Sequence, residues 1–203
     1  MSNCFAIEDL IPVIDPTAYV HPTAVLIGDV IVGPGCYVGP AACLRGDFGR
    51  ILLGEGVNVQ DTCVMHGFPE IDTVIEKDGH IGHGSIVHGA HIGENVLVGM
   101  NAVIMDRARI GASSIIGATA FVREGTVIPP RSLALGTPAR VVRELTETEM
   151  EWKRKGTRQY QELAVRSLAT QRRVAPLTAV QTDRPRFKGS YSAPLGTVKK
   201  GAG

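Results

Sequence analysis

The stretch HIGENVLVGMNAVIMDRARIGASSIIGATAFVREGTVI (residues 91–128) repeats an aliphatic residue at every sixth position without a slip. The repeated residues are Ile92, Val98, Ile104, Ile110, Ile116, Val122 and Ile128. A small or branched residue stands four positions after most of them. A period of six suits neither a helix nor a hairpin meander, but it is typical of a β-helix whose triangular coils each contain three short strands. The aliphatic side chains then fill the interior, and the smaller residues let the chain turn the corners.

The same period extends toward the N-terminus with two interruptions. Its earlier members are Val20, Leu26, Val32, Val38, Leu44, Leu53, Val59, Met65, Ile81 and Val87. The interruptions are RGDFGRI after Leu44 and GFPEIDTVIEKDGH after Met65. The period predicts an all-β, parallel β-helix of about six coils between Val20 and Ala134. Both interruptions are candidates for functional loops, because loops on a rigid scaffold often carry binding residues.

The repeats divide the chain into four predicted segments. These are a lead-in at residues 1–19, the β-helix at 20–142, a C-terminal helix at 143–173, and a basic tail at 174–203 that we expect to be mobile. In the helical segment TETEMEWKRKGTRQYQELAVRSLATQRR, Thr146 and Glu149 have the spacing of a capping box. Gly156 is expected to bend or break this helix.

Composition and charge exclude several classes of protein. No apolar run approaches the roughly 20 residues of a membrane-spanning helix. The first residues carry acids where a secretory signal has a basic region. We therefore expect a cytoplasmic protein with no membrane partner and with reduced cysteines. Residues 1–171 contain 14 basic and 19 acidic residues, so a nucleic-acid partner is not expected for this mildly acidic body.

Three histidines occupy positions that suit a shared metal ion. In the predicted register, His66 and His88 each follow the interior residue of the third face in adjacent coils, so they are expected to be outward-facing neighbours. Adjacent strands lie about 4.8 Å apart, and two imidazoles at that separation can bind one zinc ion. His83 lies on the second face, so we expect it to reach such an ion only from a neighbouring chain. The register therefore predicts a metal centre at a subunit interface, with an open position for water.

Polar residues near these histidines are candidates for the rest of the site. Asn58, Gln60 and Asp61 occur together in VNVQDTCVMHG, and such groups can orient a bound hydroxide or hold the metal ligands in place. Arg45 and Asp47 lie in the first interruption. Two interpretations of this pair are equally open. The residues form an ion pair between subunits with a purely structural role, or they take part in catalysis.

The segments LRGDFGRI, NVQDTCVMHG and HIGHGSIVHGA resemble the γ-carbonic anhydrase-like family of hexapeptide-repeat proteins, over about residues 10–175. The resemblance implies a left-handed β-helix and a homotrimer. It also implies zinc, or another divalent metal such as iron or cobalt, at each subunit interface. The residues that correspond to the family's site are the metal ligands His66, His83 and His88, the interface pair Arg45 and Asp47, the polar residues Asn58, Gln60 and Asp61, and Tyr160 on the C-terminal helix.

Within this family, the motifs CVMHGFPEIDTVIEKDGHIGHG and WKRKGTRQYQEL resemble the PaaY-type group of phenylacetic acid degradation, and next the CaiE-type group of carnitine metabolism. The PaaY-type resemblance implies a hydrolase, a metal-dependent acyl-CoA thioesterase that cleaves dead-end coenzyme A thioesters by metal-bound hydroxide. Phe48 stands where the carbonic anhydrases of the family have a glutamate, and their proton-shuttle glutamate has no convincing match. This departure disfavours fast hydration of CO2.

Three other functions remain open from the sequence. The first is a γ-carbonic anhydrase that converts CO2 to bicarbonate. The second is an acyltransferase that takes its acyl group from a coenzyme A thioester and uses a histidine base without metal. The third is a CaiE-like accessory protein of carnitine metabolism or a non-catalytic trimeric scaffold.

Overall fold

The computed structural model describes residues 3–189, which contain twenty strands followed by one helix. In chain order the strands are β1 (Asn3–Phe5), β2 (Val13–Ile14), β3 (Tyr19–Val20), β4 (Val25–Val32), β5 (Tyr37–Val38), β6 (Cys43–Leu53), β7 (Asn58–Val59), β8 (Val64–His66), β9 (Thr73–Ile75), β10 (His80–Ile81), β11 (Ile86–His88), β12 (His91–Ile92), β13 (Leu97–Val98), β14 (Val103–Ile104), β15 (Arg109–Ile110), β16 (Ile115–Ile116), β17 (Phe121–Val122), β18 (Val127–Ile128), β19 (Ser132–Gly136) and β20 (Ala139–Glu144). The helix α1 covers Glu147–Thr170.

The strands form the three walls of a left-handed parallel β-helix. Wall two consists of β3, β5, β7, β10, β13, β16 and β19 in parallel ladders, and β20 closes it as an antiparallel neighbour of β19. Wall three contains β8, β11, β14 and β17, and wall one contains β9, β12, β15 and β18. The long strands β4 and β6 turn the corner between walls three and one, and they therefore join these two walls into one sheet.

The β-helix has about seven turns, one more than the six predicted between Val20 and Ala134. The difference lies in the segment that was predicted to be a lead-in. Its strand β2 pairs with β4, and Ile14 lies beside Val32 on wall one. Ile14 stands six residues before Val20, so the hexapeptide period begins one step earlier than the sequence analysis placed it. Strand β1 also pairs with β4.

The core is a column of the repeated aliphatic residues. On wall two, Ile81 lies between Val59 and Val98 in the parallel ladder, and all three side chains are completely buried. Ser85 and Ala102, four positions after interior residues, are buried at the corners. Interior and corner positions therefore alternate as the six-residue period predicts, and the residue that follows each interior position faces outward.

Two cysteines, Cys36 and Cys63, occupy buried corners, four positions after the interior residues Val32 and Val59. Burial raises the pKa of the Cys36 thiol to about 12 and that of the Cys63 thiol to about 11. Both thiols therefore remain protonated at neutral pH, and a protonated thiol is a poor nucleophile. Cys4 and Cys43 are also free thiols.

The helix α1 begins with the predicted capping box. The Thr146 hydroxyl accepts a hydrogen bond from the Glu149 N–H, and the Glu149 carboxylate accepts one from the Thr146 N–H. The helix then continues through Gly156 for 24 residues in all, so the expected bend or break at Gly156 is wrong. Packing against wall two outweighs the cost of one interior glycine, which is about 1 kcal/mol.

The helix lies along wall two and runs back toward the first coil. Near its start Lys153 contacts Asn95, in a late coil. After its end Gln171 accepts a hydrogen bond from the Tyr19 hydroxyl, in the first coil. Residues 171–189 contain no helix or strand and are largely exposed, and residues 190–203 of the predicted tail lie outside the described residues. Within residues 3–189 no helix has the length and apolar character needed to cross a membrane.

Lys153 is a buried charged residue in the contact between α1 and the β-helix. Its Nζ donates hydrogen bonds to the Asp78 carbonyl oxygen at 2.6 Å and to Asn95 Oδ1 at 2.8 Å. Burial lowers the pKa of Lys153 to about 7, although the carboxylates of Asp78 and Glu94 oppose this effect. Placing a protonated lysine here therefore costs free energy on folding.

Replacement of Gly156 by alanine is expected to stabilise the protein. A Cβ built at Gly156 has no atom within 4 Å, so alanine fits without a clash. The free energy of unfolding should rise by about 0.5–1 kcal/mol, measured by urea denaturation. Gly46→Ala is the opposing control, because a Cβ there lies 2.3 Å from the Asp29 carbonyl oxygen and should destabilise. A lower free energy of unfolding in Gly156→Ala would contradict the finding that a Cβ at this position has free space around it.

Lys153→Met is expected to change how stability depends on pH. The unfolded chain holds the lysine proton up to its usual pKa of 10.5, whereas the folded chain releases it near pH 7. Unfolding therefore takes up a proton between these values, so the contribution of Lys153 to the free energy of unfolding rises as the pH increases across this window. Lys153→Met should remove that rise, measured by urea denaturation at pH 7 and at pH 10. The exposed Lys155→Met is the matched control, and an equal pH response in both variants would refute the prediction.

Candidate functional site

Wall three brings two of the predicted metal ligands together. Strands β8 and β11 pair in parallel, with His66 directly beside His88. Their ring centroids are 5.1 Å apart, and His66 Nδ1 lies 3.1 Å from His88 Nε2. Each histidine follows a buried interior residue, Met65 or Val87, so both rings lie on the outer side of the wall. This is the neighbour relation that the register predicts.

Each imidazole of this pair is held by a carboxylate at its other nitrogen. Asp47 Oδ1 lies 2.9 Å from His66 Nε2, and Asp106 Oδ1 lies 2.7 Å from His88 Nδ1. When these carboxylate-bonded nitrogens carry the ring protons, His66 Nδ1 and His88 Nε2 are two unprotonated acceptors that face each other. Such a donor set suits a cation. Carboxylates that hold the second nitrogen are also the usual outer support of metal-bound histidines.

The spacing of the two acceptors also fits a metal ion. Two ligand nitrogens of a tetrahedral zinc ion, with bonds of about 2.0–2.1 Å, are about 3.3 Å apart. The 3.1 Å between His66 Nδ1 and His88 Nε2 is close to that value. Among residues 3–189, no group of three or more His, Cys, Asp or Glu side chains is placed to hold a metal. The pair alone does not complete a metal site within residues 3–189, so the metal centre shared between chains stays a prediction.

Arg45 and Asp47 form an ion pair within the single chain, with 2.8 Å between Arg45 Nη1 and Asp47 Oδ2. Because Asp47 also contacts His66, the pair orients that imidazole. Arg45 Nη2 also lies 3.2 Å from His66 Nε2, and because a guanidinium only donates, this contact competes with the Asp47 hydrogen bond for that nitrogen. The contact of Arg45 and Asp47 across a subunit interface stays a prediction.

Two exposed aromatic rings flank the histidine pair. The Phe48 ring lies 5.4 Å from the His66 ring, and the Phe68 ring lies 5.1 Å from the His88 ring. Phe48 is 61% exposed and Phe68 is 49% exposed. Large exposed rings beside a pair of polar side chains are typical of a surface that another protein chain covers.

A second cluster surrounds His83, at the corner that follows wall two. Asp61 Oδ2 lies 3.0 Å from His83 Nδ1, and the Tyr160 hydroxyl lies 3.3 Å from His83 Nε2. His83 thus repeats the arrangement of the other two histidines, with one nitrogen on a carboxylate and the other facing a second group. Tyr160, the candidate from α1, is brought to this cluster rather than to the pair on wall three.

Gln60 supports His83 directly, and His80 in turn contacts Gln60. Gln60 Oε1 accepts a hydrogen bond from the His83 backbone N–H at 3.2 Å. Gln60 Nε2 donates to Asn58 Oδ1 at 3.0 Å and to His80 Nε2 at 2.6 Å. Burial lowers the pKa of His80 to about 3, with smaller effects from Lys153 and His83, so His80 is neutral and its Nε2 accepts. His80 is partly buried.

The contacts of Gln60 make it a positioning residue for His83 in this chain, and its role in orienting a hydroxide stays a prediction. Burial raises the pKa of Tyr160 to about 12, and the Asp61 carboxylate adds to the effect. The phenol therefore keeps its proton at neutral pH and can donate a hydrogen bond. Asn58 Nδ2 is buried without a hydrogen-bond partner among residues 3–189, so this donor is available to a bound water.

An apolar groove opens beside His83, between α1 and wall two, and we call it the helix groove. Its volume is about 400 Å³. The apolar side chains that line it include Leu97, Met100, Ile115, Leu133, Leu145 and Trp152. Gln60, His80, His83 and Tyr160 line it as well, so the predicted polar residues of wall two border an apolar cavity. An apolar cavity with a few convergent polar groups is typical of a small-molecule site.

Asp106 and His80 also belong to these clusters, although neither was predicted from the sequence. Asp106 lies 18 residues after His88, which is the length of one full coil, so the six-residue register contains a signal for this contact. His80 pairs with Asn58 in the wall-two ladder, but the second interruption lengthens the intervening coil and hides the relation. His91 is partly buried, and its Nε2 lies 2.7 Å from Glu76 Oε1.

The ladders, the hexapeptide interior and the two histidine clusters define a hexapeptide-repeat β-helix protein. Residues 89–124 match the family described as bacterial transferase hexapeptide (six repeats). A Bacillus cereus protein provisionally described as an acetyltransferase has a similar structure, with a TM-score of 0.82, 35% identity, and coverage of 84% of this chain and 100% of that chain. A hexapeptide transferase family protein from Anaplasma phagocytophilum has a TM-score of 0.77 and 35% identity, covering 79% of this chain and 95% of that chain.

The chain belongs to the family of the carnitine operon protein CaiE. The CaiE protein of Citrobacter koseri is 56% identical over 186 residues, which is 92% of this chain and 94% of that protein. The CaiE protein of Escherichia coli K12 is 52% identical over 186 residues, or 92% of this chain and 95% of that protein. These relatives support the CaiE-type alternative of the sequence analysis and give no support to the PaaY-type assignment.

Gln60→Ala is expected to destabilise the protein. The variant leaves the partly buried His83 N–H and His80 Nε2 without their partner, and loss of a partner costs up to about 1–3 kcal/mol when the group is buried. Urea denaturation measures the loss. Glu124→Ala, at an exposed residue whose carboxylate pairs with Arg107, is the control and should change stability by less than about 0.5–1 kcal/mol. Equal stabilities of the two variants would show that Gln60 does not brace His83.

Proposed function

We propose that the protein acts in carnitine metabolism as a homotrimeric, metal-dependent hydrolase of coenzyme A thioesters. The carnitine context comes from the name of its relatives, which are carnitine operon proteins. The hydrolase activity is what the PaaY-type resemblance of the sequence motifs implies, and the three histidines are the ligands that the broader γ-carbonic anhydrase-like resemblance implies. The observation that carries the proposal is the common arrangement of His66, His83 and His88, each held on one ring nitrogen by a carboxylate.

The two clusters on one chain are complementary halves. His66 and His88 supply two acceptors on wall three, and His83 supplies a third at the corner after wall two. A threefold arrangement that places the corner of one chain against wall three of the next completes three interface sites. Three histidines are the protein ligands of a catalytic zinc site, and a bound divalent cation supplies an activated water at neutral pH.

The other residues of the site hold and orient the reactants in this proposal. Hydrolysis adds water across the thioester C–S bond, so the acyl group leaves as a carboxylic acid and coenzyme A leaves as its thiol. Tyr160 keeps its proton and donates a hydrogen bond to the carbonyl oxygen or to the departing sulfur. Asp61 fixes the His83 ring, and Gln60 fixes its backbone. The thioester needs no protein nucleophile, and the Cys36 and Cys63 thiols are protonated.

Acyl transfer is the second candidate function, because similar solved structures carry transferase names. A transferase needs an acceptor other than water and uses a histidine as base without metal. Bound metal at one equivalent per subunit, together with product formation in the absence of any acceptor, favours hydrolysis. CO2 hydration on the same sample tests the carbonic anhydrase alternative. A lack of turnover on all substrates would favour the accessory scaffold.

Mixed trimers provide a direct test of the shared site. His83→Ala and His66→Ala should each abolish thioester hydrolysis and lower the metal content. Random mixing of the two variants places an intact wall three against an intact His83 in one interface of every mixed trimer. Activity should therefore return to about a quarter of that of the unmodified protein. Thioesterase assays and elemental analysis of the same samples measure both effects.

The control for the mixed trimers is His91→Ala, which removes a histidine of wall one far from both clusters. This variant should keep its metal and its activity. A mixture that stays inactive, although heterotrimers are confirmed by mass spectrometry, would contradict a site shared between chains. Full activity and full metal content in His66→Ala would refute the metal-dependent mechanism altogether.

A further inference from the structure

A second groove lies on the same side of α1 as the helix groove, near the end of the helix, and we call it the basic groove. Its volume is about 650 Å³. Its lining is mixed: apolar side chains that include Ile14, Val20 and Leu168 lie beside polar ones that include Tyr19, His21, Thr23, Ser167, Gln171, Arg172 and Arg173. Neither arginine forms an ion pair with a carboxylate among residues 3–189, so their charges are available to an anion.

The register shows that both grooves border one line of corners. His21 and Thr23 follow β3 in the chain as Gly82 and Gly84 follow β10, and β3 and β10 belong to the same wall-two ladder. The His83 cluster therefore lies on this line between the basic groove and the apolar body of the helix groove. Both grooves also use residues of α1 or its immediate continuation, so α1 forms a common side.

We propose that a coenzyme A thioester lies along α1, with its acyl group in the helix groove and its phosphate-bearing nucleotide end in the basic groove. This inference rests on the proposed function, because it assigns subsites to the substrate of the same site. It adds the direction of the substrate and the chemical class of the acyl group, which is apolar.

The distances along the molecule fit such a ligand. Three rungs of wall two separate Tyr19 in the basic groove from His80 in the helix groove, which is about 14 Å at the usual strand spacing. Eleven helical residues separate Tyr160 from Gln171, or about 16 Å. The thioester sulfur of coenzyme A is joined to its phosphates by a long, flexible pantetheine arm. Such an arm can extend from His83 and Tyr160 to Arg172 and Arg173.

The helix groove and the basic groove differ in charge, because only the basic groove is lined by arginines. The helix groove is lined mainly by Leu, Ile and Met side chains together with Trp152, and removal of an apolar acyl group from water there is favourable. The basic groove presents two guanidinium groups, which bind phosphate with paired, charge-assisted hydrogen bonds. The hydroxyls of Thr23 and Ser167 are further donors of the kind that phosphate accepts. A reversed substrate would place its phosphates among aliphatic side chains, at a large cost of desolvation.

Binding of non-hydrolysable S-alkyl coenzyme A thioethers, from S-ethyl to S-octyl, tests both ends on the full-length, metal-loaded protein. Isothermal titration calorimetry should show affinity that rises about three- to fourfold per methylene until the helix groove is filled. Met100→Trp and Ala118→Phe, which fill this groove, should flatten that dependence while binding of free coenzyme A is unchanged. Val127→Trp, at an exposed residue on wall one, is the control and should keep the dependence on chain length.

The basic groove is tested with the double variant Arg172→Gln, Arg173→Gln. All thioethers should lose affinity by about tenfold or more, equally at every chain length, and the remaining binding should depend less on salt. Dephospho-coenzyme A lacks the 3′-phosphate, so its affinity should fall less in this variant than that of coenzyme A. This comparison identifies the nucleotide end of coenzyme A as the group bound in the basic groove. The unmodified protein should prefer long thioethers even in an excess of inorganic phosphate. If phosphate abolishes this preference, the assignment of the acyl group to the helix groove and of the nucleotide to the basic groove is wrong.

The outcomes separate this inference from the proposed function. Affinity independent of chain length, or unchanged affinity in the double arginine variant, overturns the subsites even if the protein hydrolyses thioesters. Binding with both expected dependences but without turnover supports the subsites and refutes the hydrolase. If none of the thioethers binds, both proposals are wrong.

Discussion

The parallel backbone ladder between successive coils is the constraint on which the rest of the structure depends. In this ladder the backbone of Ile81 pairs with those of Val59 and Val98. This register fixes which residue of each six-residue unit points into the core. A shift by one residue in any coil would move the aliphatic residues out and polar ones in. The ladder therefore determines the outer surface as strictly as the core. His66 and His88 lie side by side because Met65 and Val87 are stacked inside.

What could be predicted from the sequence is what this ladder determines. The interior residues, the corner cysteines and the contact between His66 and His88 all follow from counting by six. Contacts of α1 do not, because a helix can slide along a regular wall without breaking the period. The buried state of His80, and the joint between Lys153 and Asn95, depend on where α1 is docked. The uninterrupted helix at Gly156 has the same cause, since docking outweighs local propensity.

The first coil and Asp106 show two further limits of the periodic pattern. Ile14 obeys the period, but its strand of two residues lies among prolines and acids that carry no repeat signal. Asp106 follows His88 by one coil, yet a single carboxylate on an outer surface has many possible partners until the side-chain directions are known. Periodicity thus assigns residues to walls, whereas the partner of a polar side chain is decided by geometry at the corners.

The antiparallel strand β20 has a consequence for the length of the assembly. A β-helix that ended on a bare parallel strand would present an open row of backbone donors and acceptors, on which the first coil of another molecule could stack. Repeated end-to-end stacking would produce fibres. By folding back on β19, β20 occupies the exposed edge of wall two with a strand of reversed direction. A strand of another molecule then cannot pair in parallel with the end of wall two, so the β-helix does not grow by end-to-end stacking.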